Sequence, residues 1–365
     1  MVFDTALVVS TLLLTTPILF AATGELVAEL AGVINIGIEG MMLAGAFFAY
    51  WAYDSTGSPL VGLACGVLAG AALGGVMALF AVQAGADQVV VGIGIVVFAM
   101  GITSLATSEL FGQDASRSLL AVETPVGIPL LDRVPFIGRV LFDAKPLEYV
   151  AFALLALTAA VLYKTRAGLA VRAAGEMPEA VTANGLNVRA VRWAAVLFAG
   201  SAAGLGGAFL SIGEAGTFVE NMTGGRGYLA LAAVIFGGWR IRGVLFACLA
   251  FGFCDALQLR LQGLPAVPVE VWALAAVVCG GYAAWAWSHP SNGGRLAHSV
   301  AITSSVTLAV LFVVFVIAQP AIEIPNQLLL ALPYLVTLIA LAGLASRVLA
   351  PRFLGLPYFP SRSST

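Results

Sequence analysis

Apolar runs of about 20 residues, the length a helix needs to cross a hydrocarbon core, follow one another along almost the whole of this 365-residue chain. They fall near residues 6–22, 26–52, 59–82, 88–110, 147–163, 190–213, 226–239, 243–262, 268–288, 300–319 and 326–346. In lipid a backbone must satisfy its own polar groups, so such runs fold as α-helices. The expected fold is an all-α polytopic membrane protein with about ten or eleven transmembrane helices. Residues 226–239 are short for a crossing and begin in the Gly-rich TGGRGY, which predicts a half or re-entrant helix there.

Composition agrees with this class. Asp, Glu, Lys and Arg make up 10% of the chain, against about 25% in ordinary soluble domains, and the mean hydropathy is +1.01. The 41 glycines and 16 prolines predict closely packed spans with breaks, which are tolerated where neighbouring protein or water takes up the freed backbone groups. A net charge of -2 gives no footing for a nucleic-acid partner. Cys65, Cys248, Cys254 and Cys279 lie in apolar runs without CxxC spacing and read as small buried hydrophobes. Asp4 precedes the first run and no Lys or Arg does, so that run is expected to be a retained span and not a secretory signal.

The largest basic interruption is the island at 164–192, KTRAGLAVRAAGEMPEAVTANGLNVRAVR, with Lys164, Arg166, Arg172, Arg189 and Arg192 against Glu176 and Glu179. Spans need only short turns between them, so a segment of this size with helix-compatible spacing predicts a docking surface for another protein. A cytoplasmic island puts Arg240, Arg242, Arg295, Arg347, Arg352 and Arg362 on the same side by alternation. These six and the island's five make 11 of the 17 Lys and Arg cytoplasmic, as the positive-inside tendency requires. Alternation holds only if 226–239 crosses. Residues 111–146, with Pro125, Pro129, Pro135 and Pro146, become the longest external loop, either a cap over the helices or a contact for a soluble partner. The Pro- and Ser-rich tail, 351–365, is expected to fray into the cytoplasm.

Few residues have the chemistry of a site. In GVINIGIEG (32–40), Asn35 and Glu39 sit within an apolar run. An acidic group at membrane depth costs roughly 2.5 to 3.5 kcal/mol on insertion scales, so Glu39 must face protein or a water-filled path. Two roles stay open: Asn35 and Glu39 bond neighbouring helices, or they line or gate a translocation path. EAGTFVENMTGGRGY (214–228) sets Phe218, Asn221, Thr223 and Arg226 at the mouth of a span, either as plain solvated loop or as groups that meet a sugar or base. Gly66, Gly70 and Gly74, and separately Gly200 and Gly204, repeat at four-residue spacing, a helix-packing pattern. The chain has no GxxxxGK[ST], HExxH or GxSxG, and His289 and His298 fall in one predicted loop, which argues against an enzyme. A proton-coupled carrier using Glu39 and Asp255 would leave the island without a role.

Three stretches, ELAGVINIGIEGMMLAGAF (29–47), RAGLAVRAAGEMPEAVTANGLNVRAVRWAAVLFAGSAAGLGGAFLS (166–211) and NMTGGRGYLALAAVIFGGW (221–239), resemble the permease subunits of ABC importers for nucleosides and simple sugars. That group also includes ribose and branched-chain amino acid permeases. The resemblance implies an ABC importer permease fold over 1–350 in the bacterial cytoplasmic membrane, with a translocation path by Asn35, Glu39, Phe218, Asn221 and Thr223. It implies that 164–192 is a cytoplasmic coupling segment. There Gly175, Glu176, Pro178, Glu179, Ala180 and Gly185 form the helix and turn that dock into an ATP-binding cassette subunit. It further implies a second homologous permease subunit in a heterodimer, and an extracytoplasmic solute-binding protein or lipoprotein. No cofactor is expected on this chain, since ATP and Mg belong to the partner ATPase. NIGIEG and NMTGGRGY, with FGFCDALQLRLQ and LPYLVTLIAL, resemble the nucleoside branch, the alternatives being a simple sugar or a branched-chain amino acid. Two departures stand out. Leu30 replaces a basic residue that would pair with Glu29, and residues 265–320 read as an inserted pair of spans.

Overall fold

The computed structural model describes residues 4–112, 120–122, 124–127, 143–262, 268–288, 295–318 and 350–358. They fall into two compact units, the larger within 9–253 and 335–365, the smaller within 1–8 and 254–334. Helices account for nearly all of both. The one pair of strands among the described residues is β1 (Val126–Gly127) antiparallel to β2 (Asp143–Ala144).

The helices are α1 (Thr5–Leu30), α2 (Ile38–Thr56), α3 (Pro59–Met77) and α4 (Gln88–Phe111). Further along the chain come α5 (Pro146–Lys164), α6 (Arg166–Glu176), α7 (Pro178–Ala183), α8 (Val188–Ala208), α9 (Arg226–Phe236) and α10 (Ile241–Leu261). Two of them continue as π-helical turns, α3 through Ala78–Gln83 and α8 through Phe209–Ala215. Six described helices are long and apolar enough to cross a membrane: α1, α3, α4, α5, α8 and α10, with their π-helical extensions. Local chemistry sets the helix starts. Asp87 accepts from Val89 N (2.9 Å) and Val90 N (3.0 Å) ahead of α4, Asn187 accepts from Arg189 N (2.9 Å) ahead of α8, and Pro59 opens α3.

The core of the larger unit is a glycine seam. Gly66, Gly70 and Gly74 on α3 face Gly200 and Gly204 on α8 so closely that a Cβ on Gly70 would lie 2.8 Å from the Gly204 Cα. A Cβ on Gly66 would lie 2.9 Å from the Gly45 carbonyl of α2. The two stripes read from sequence are the two sides of one joint, and small residues allow it because lipid offers no hydrophobic drive for helix association.

Three expectations are corrected. Residues 23–25 do not separate two spans; they lie within α1, where the Thr23 hydroxyl bonds the Leu19 carbonyl (2.7 Å) and Gly24 packs on Ala202. The break falls instead at 31–37, between α1 and α2. Residues 226–239 hold the half helix their length predicts, the 11-residue α9, about 16 Å long against a hydrocarbon core of about 30 Å. The tail does not fray over 351–358: Phe353 N donates to the Gly175 carbonyl (2.8 Å) and Gly355 N to the Gly32 carbonyl (3.2 Å). His298 lies in a helix, not a loop. The expected span at 326–346 and most of the 111–146 loop lie outside the described residues.

In the smaller unit α11 (Val269–Ser288) packs on α12 (Arg295–Ala318), with Trp272 stacked on Phe312 (5.9 Å) and edge-on to Phe315 (5.0 Å). Arg260 forks onto the Asp4 carboxylate at 2.6 and 2.7 Å, and that guanidinium holds the Asp4 carboxyl down at about 2.

Candidate functional site

A helix that begins inside a membrane leaves its first N–H groups without partners. The N-cap of α9, Gly225, has left-handed backbone (φ 85) and no side chain with which to cap. Glu39 of α2 supplies the missing acceptor. Its Oε1 accepts from the Thr223 hydroxyl (2.6 Å) and Gly225 N (2.9 Å), and its Oε2 accepts from Gly227 N (2.7 Å). An anion at the positive end of a helix is electrostatically favoured. Glycine at 227 is needed for this approach, since a Cβ there would lie 2.6 Å from the Glu39 Cα. Glu39 is buried, as expected for a carboxylate that faces protein.

The other residues of the expected path scatter around this cap. Thr223 is buried in it. Phe218 is buried edge-on against Phe47 (5.2 Å). Asn221 is exposed and adopts φ 55, a left-handed conformation that asparagine tolerates better than most residues. Arg226 reaches back to its own loop, with Nη1 donating to the Met222 carbonyl (3.3 Å). Asn35 is fully buried on the break; its backbone N donates to Glu25 Oε1 (2.9 Å), its Nδ2 to Met41 Sδ (3.4 Å), and its Oδ1 has no partner. Gln88 Oε1 accepts from Ile34 N (2.7 Å). In the last turn of α1, Glu29 accepts from Trp239 Nε1 (2.5 Å). An indole N–H thus occupies Glu29, where the resemblance led us to expect a basic residue at 30.

The polar island folds into two short helices and a turn. Thr165 caps α6 by accepting from Gly168 N (3.2 Å). Gly175 packs against the end of α1, where a Cβ would lie 3.1 Å from Gly32 N. Pro178 opens α7 and is buried; Glu176 and Glu179 are exposed, Ala180 is half-buried, and Gly185 takes φ 76 with open space around it. Leu169, Met177 and Leu186 are exposed at 60%, 54% and 49%. A cavity of about 1310 Å³ is lined by Lys164, Arg172 and Glu176 of the island together with Arg240, Arg242 and Pro351. The island, the turn before α10 and the tail therefore share one end of the larger unit.

Sequence reasoning missed Arg192, Glu25 and Trp239. Arg192 was counted among surface cations, yet it is 2% exposed, and its Nε, Nη1 and Nη2 donate to the carbonyls of Ala31 (3.0 Å), Leu356 (2.8 Å) and Ala174 (3.4 Å). Its one sequence signal was its place at the start of an apolar span.

Six helices long and apolar enough to cross a membrane, a short carboxylate-capped helix and a folded polar segment at one end define a multi-pass membrane protein. The chain belongs to the family described as branched-chain amino acid transport system / permease component, which matches residues 7–281. It is 34% identical over 264 residues to a putative glucose ABC transporter permease protein, TsgC13, of Haloferax volcanii, across 72% of this chain and 80% of that one. It is 29% identical over 363 residues to the guanosine ABC transporter permease protein NupQ of Bacillus subtilis, across 98% and 97% of the two chains. It is 32% identical over 284 residues to the nucleoside ABC transporter permease protein NupC of Lactococcus lactis, across 74% and 89%. Each of these organisms also supplies a second permease relative at 25% or 26% identity. No solved structure matches the chain. It is accordingly the membrane-spanning permease subunit of an ABC transporter, a transport component of the cytoplasmic membrane that works with ATPase and solute-binding partners.

Proposed function

We propose that this permease imports nucleosides by alternating access. The observation that carries the cargo class is the relative aligned over 98% of the chain, a guanosine permease, supported by the nucleoside permease at 32% identity. In this reading ATP and Mg bind to a separate cassette subunit, hydrolysis occurs there, and this chain holds no cofactor. Residues 164–192 are the coupling segment: Gly175, Pro178, Ala180 and Gly185 shape the α6–α7 turn, and Glu176 and Glu179 face the ATPase beside the exposed Leu169, Met177 and Leu186. Asn35, Glu39, Phe218, Asn221 and Thr223 shape the path, with Glu39 and Thr223 holding the half helix and Asn221 open to solute. The partner permease is a different chain, because three organisms each contribute two relatives of unequal identity. In this reading residues 265–320 are an inserted pair of spans that serves packing or partner contact.

A second reading, glucose, is favoured by the 34% identity to the putative glucose permease. Uptake of labelled guanosine by cells expressing this chain with its ATPase, second permease and binding protein separates the two. Competition by unlabelled nucleosides alone supports the proposal. Competition by glucose, ribose or leucine changes the cargo, and uptake that follows the proton gradient and ignores ATP removes the ATP-driven reading.

A further inference from the structure

We propose that residues 351–358 and Arg192 form a strap that ties the coupling segment to the break between α1 and α2, with Arg192 as its positioning residue. The proposal rests on the reading of 164–192 as the coupling segment. The Arg192 guanidinium is buried, and the acceptors around it are three main-chain carbonyls from three separate elements: Ala31 just past α1, Ala174 in the last turn of α6, and Leu356 in the tail. Carbonyls at helix C-termini lack partners within the helix and carry the negative end of its dipole, so the ends of α1 and α6 both favour a cation between them.

The tail closes the arrangement from the other side. Phe353 N donates to the Gly175 carbonyl (2.8 Å) at the α6–α7 turn, and two residues on Gly355 N donates to the Gly32 carbonyl (3.2 Å) in the break. The Tyr358 and Thr182 hydroxyls bond at 2.9 Å, adding α7. Gly32 cannot be replaced without strain, since it has φ 92 and a Cβ would lie 3.0 Å from the Phe353 carbonyl. A buried guanidinium that loses its acceptors has no water to replace them, and an uncompensated buried charge is strongly unfavourable. The three elements therefore shift together. Displacement of α6 and α7 by an attached partner is passed through Arg192 and the tail to the break, and from the break to Glu39 and the half helix it caps.

The test uses the whole complex in proteoliposomes, with three forms of this chain beside the parent: one ending after Ala350, one ending after Tyr358, and Arg192→Met. ATP-driven uptake by the parent is measured first; its absence defeats the coupling reading and not the strap. Given parental uptake, the form ending after Tyr358 is expected within twofold of the parent. The form ending after Ala350 and Arg192→Met are expected to assemble, to hydrolyse ATP without acceleration by solute-loaded binding protein, and to import at least tenfold more slowly. If either of these two variants accumulates and imports within twofold of the parent, the strap is overturned. Failure of both to accumulate assigns these contacts to folding alone and overturns it as well.

Discussion

The Glu39 carboxylate and the Thr223 hydroxyl meet at 2.6 Å across 184 positions of sequence, joining the start of α2 to the loop that feeds α9. Three donors converge on that carboxylate, so Glu39→Ala leaves buried N–H groups unpaired. With about 1.5 to 3 kcal/mol per bond to a charged group, the substitution is expected to reduce the amount of protein in the membrane as well as its transport. Thr223→Val removes one of the three bonds and is expected to keep normal levels while slowing uptake. Immunoblots of membranes beside initial rates check both, and a normal level of Glu39→Ala would contradict the cap.

The glycine seam makes a position-specific prediction. Gly70→Leu drives a side chain into the backbone of α8 and is expected to cost about 3 kcal/mol or more. Gly75→Ala, five residues along the same helix, meets nothing nearer than Leu197 Cδ2 at 3.7 Å and is expected to be neutral. Thermal unfolding of the purified variants in detergent distinguishes these outcomes.

Glu176 is exposed on the segment proposed to couple to the ATPase, so its charge is expected to matter to a partner more than to the fold. Glu176→Arg is expected to lose uptake at normal membrane levels, and Gly185→Trp, at an open left-handed turn, to do the same. Normal transport in either variant withdraws the docking assignment.

Asp4 gives a pH test confined to the smaller unit. Its carboxyl sits at about 2 beside Arg260, below the ordinary 3.8. A lowered folded value stabilises above the unfolded value and is lost as pH falls through the folded one. Thermal unfolding of the parent and Asp4→Asn is expected to differ by a constant small amount at neutral pH, the difference closing between about pH 4 and pH 2.

Much of this architecture was legible in the chain, because apolar length and glycine spacing report directly on spans and their joints. The burial of Glu39 followed from the cost of its charge; its three donors did not, since they lie beyond 180 positions of intervening sequence. Thr23 and Glu25 misled because polarity resembles a loop when the groups that satisfy it, the Leu19 carbonyl and Asn35 N, are supplied only by folding. The tail misled for the same reason: proline and serine content says nothing of backbone bonds to Gly175 and Gly32. Arg192 was hidden because a cation held by carbonyls needs no acidic partner in the sequence.

Where Gly66, Gly70 and Gly74 of α3 meet Gly200 and Gly204 of α8 there is no room for a methyl group. Such a joint has nothing in it to slide on, neither lipid tails nor long side chains that change rotamer, so the two helices travel as one strut. Any opening that admits cargo must bend the chain elsewhere, and the stretches built to bend are those where the helical ladder is interrupted, at residues 31–37 and 216–225.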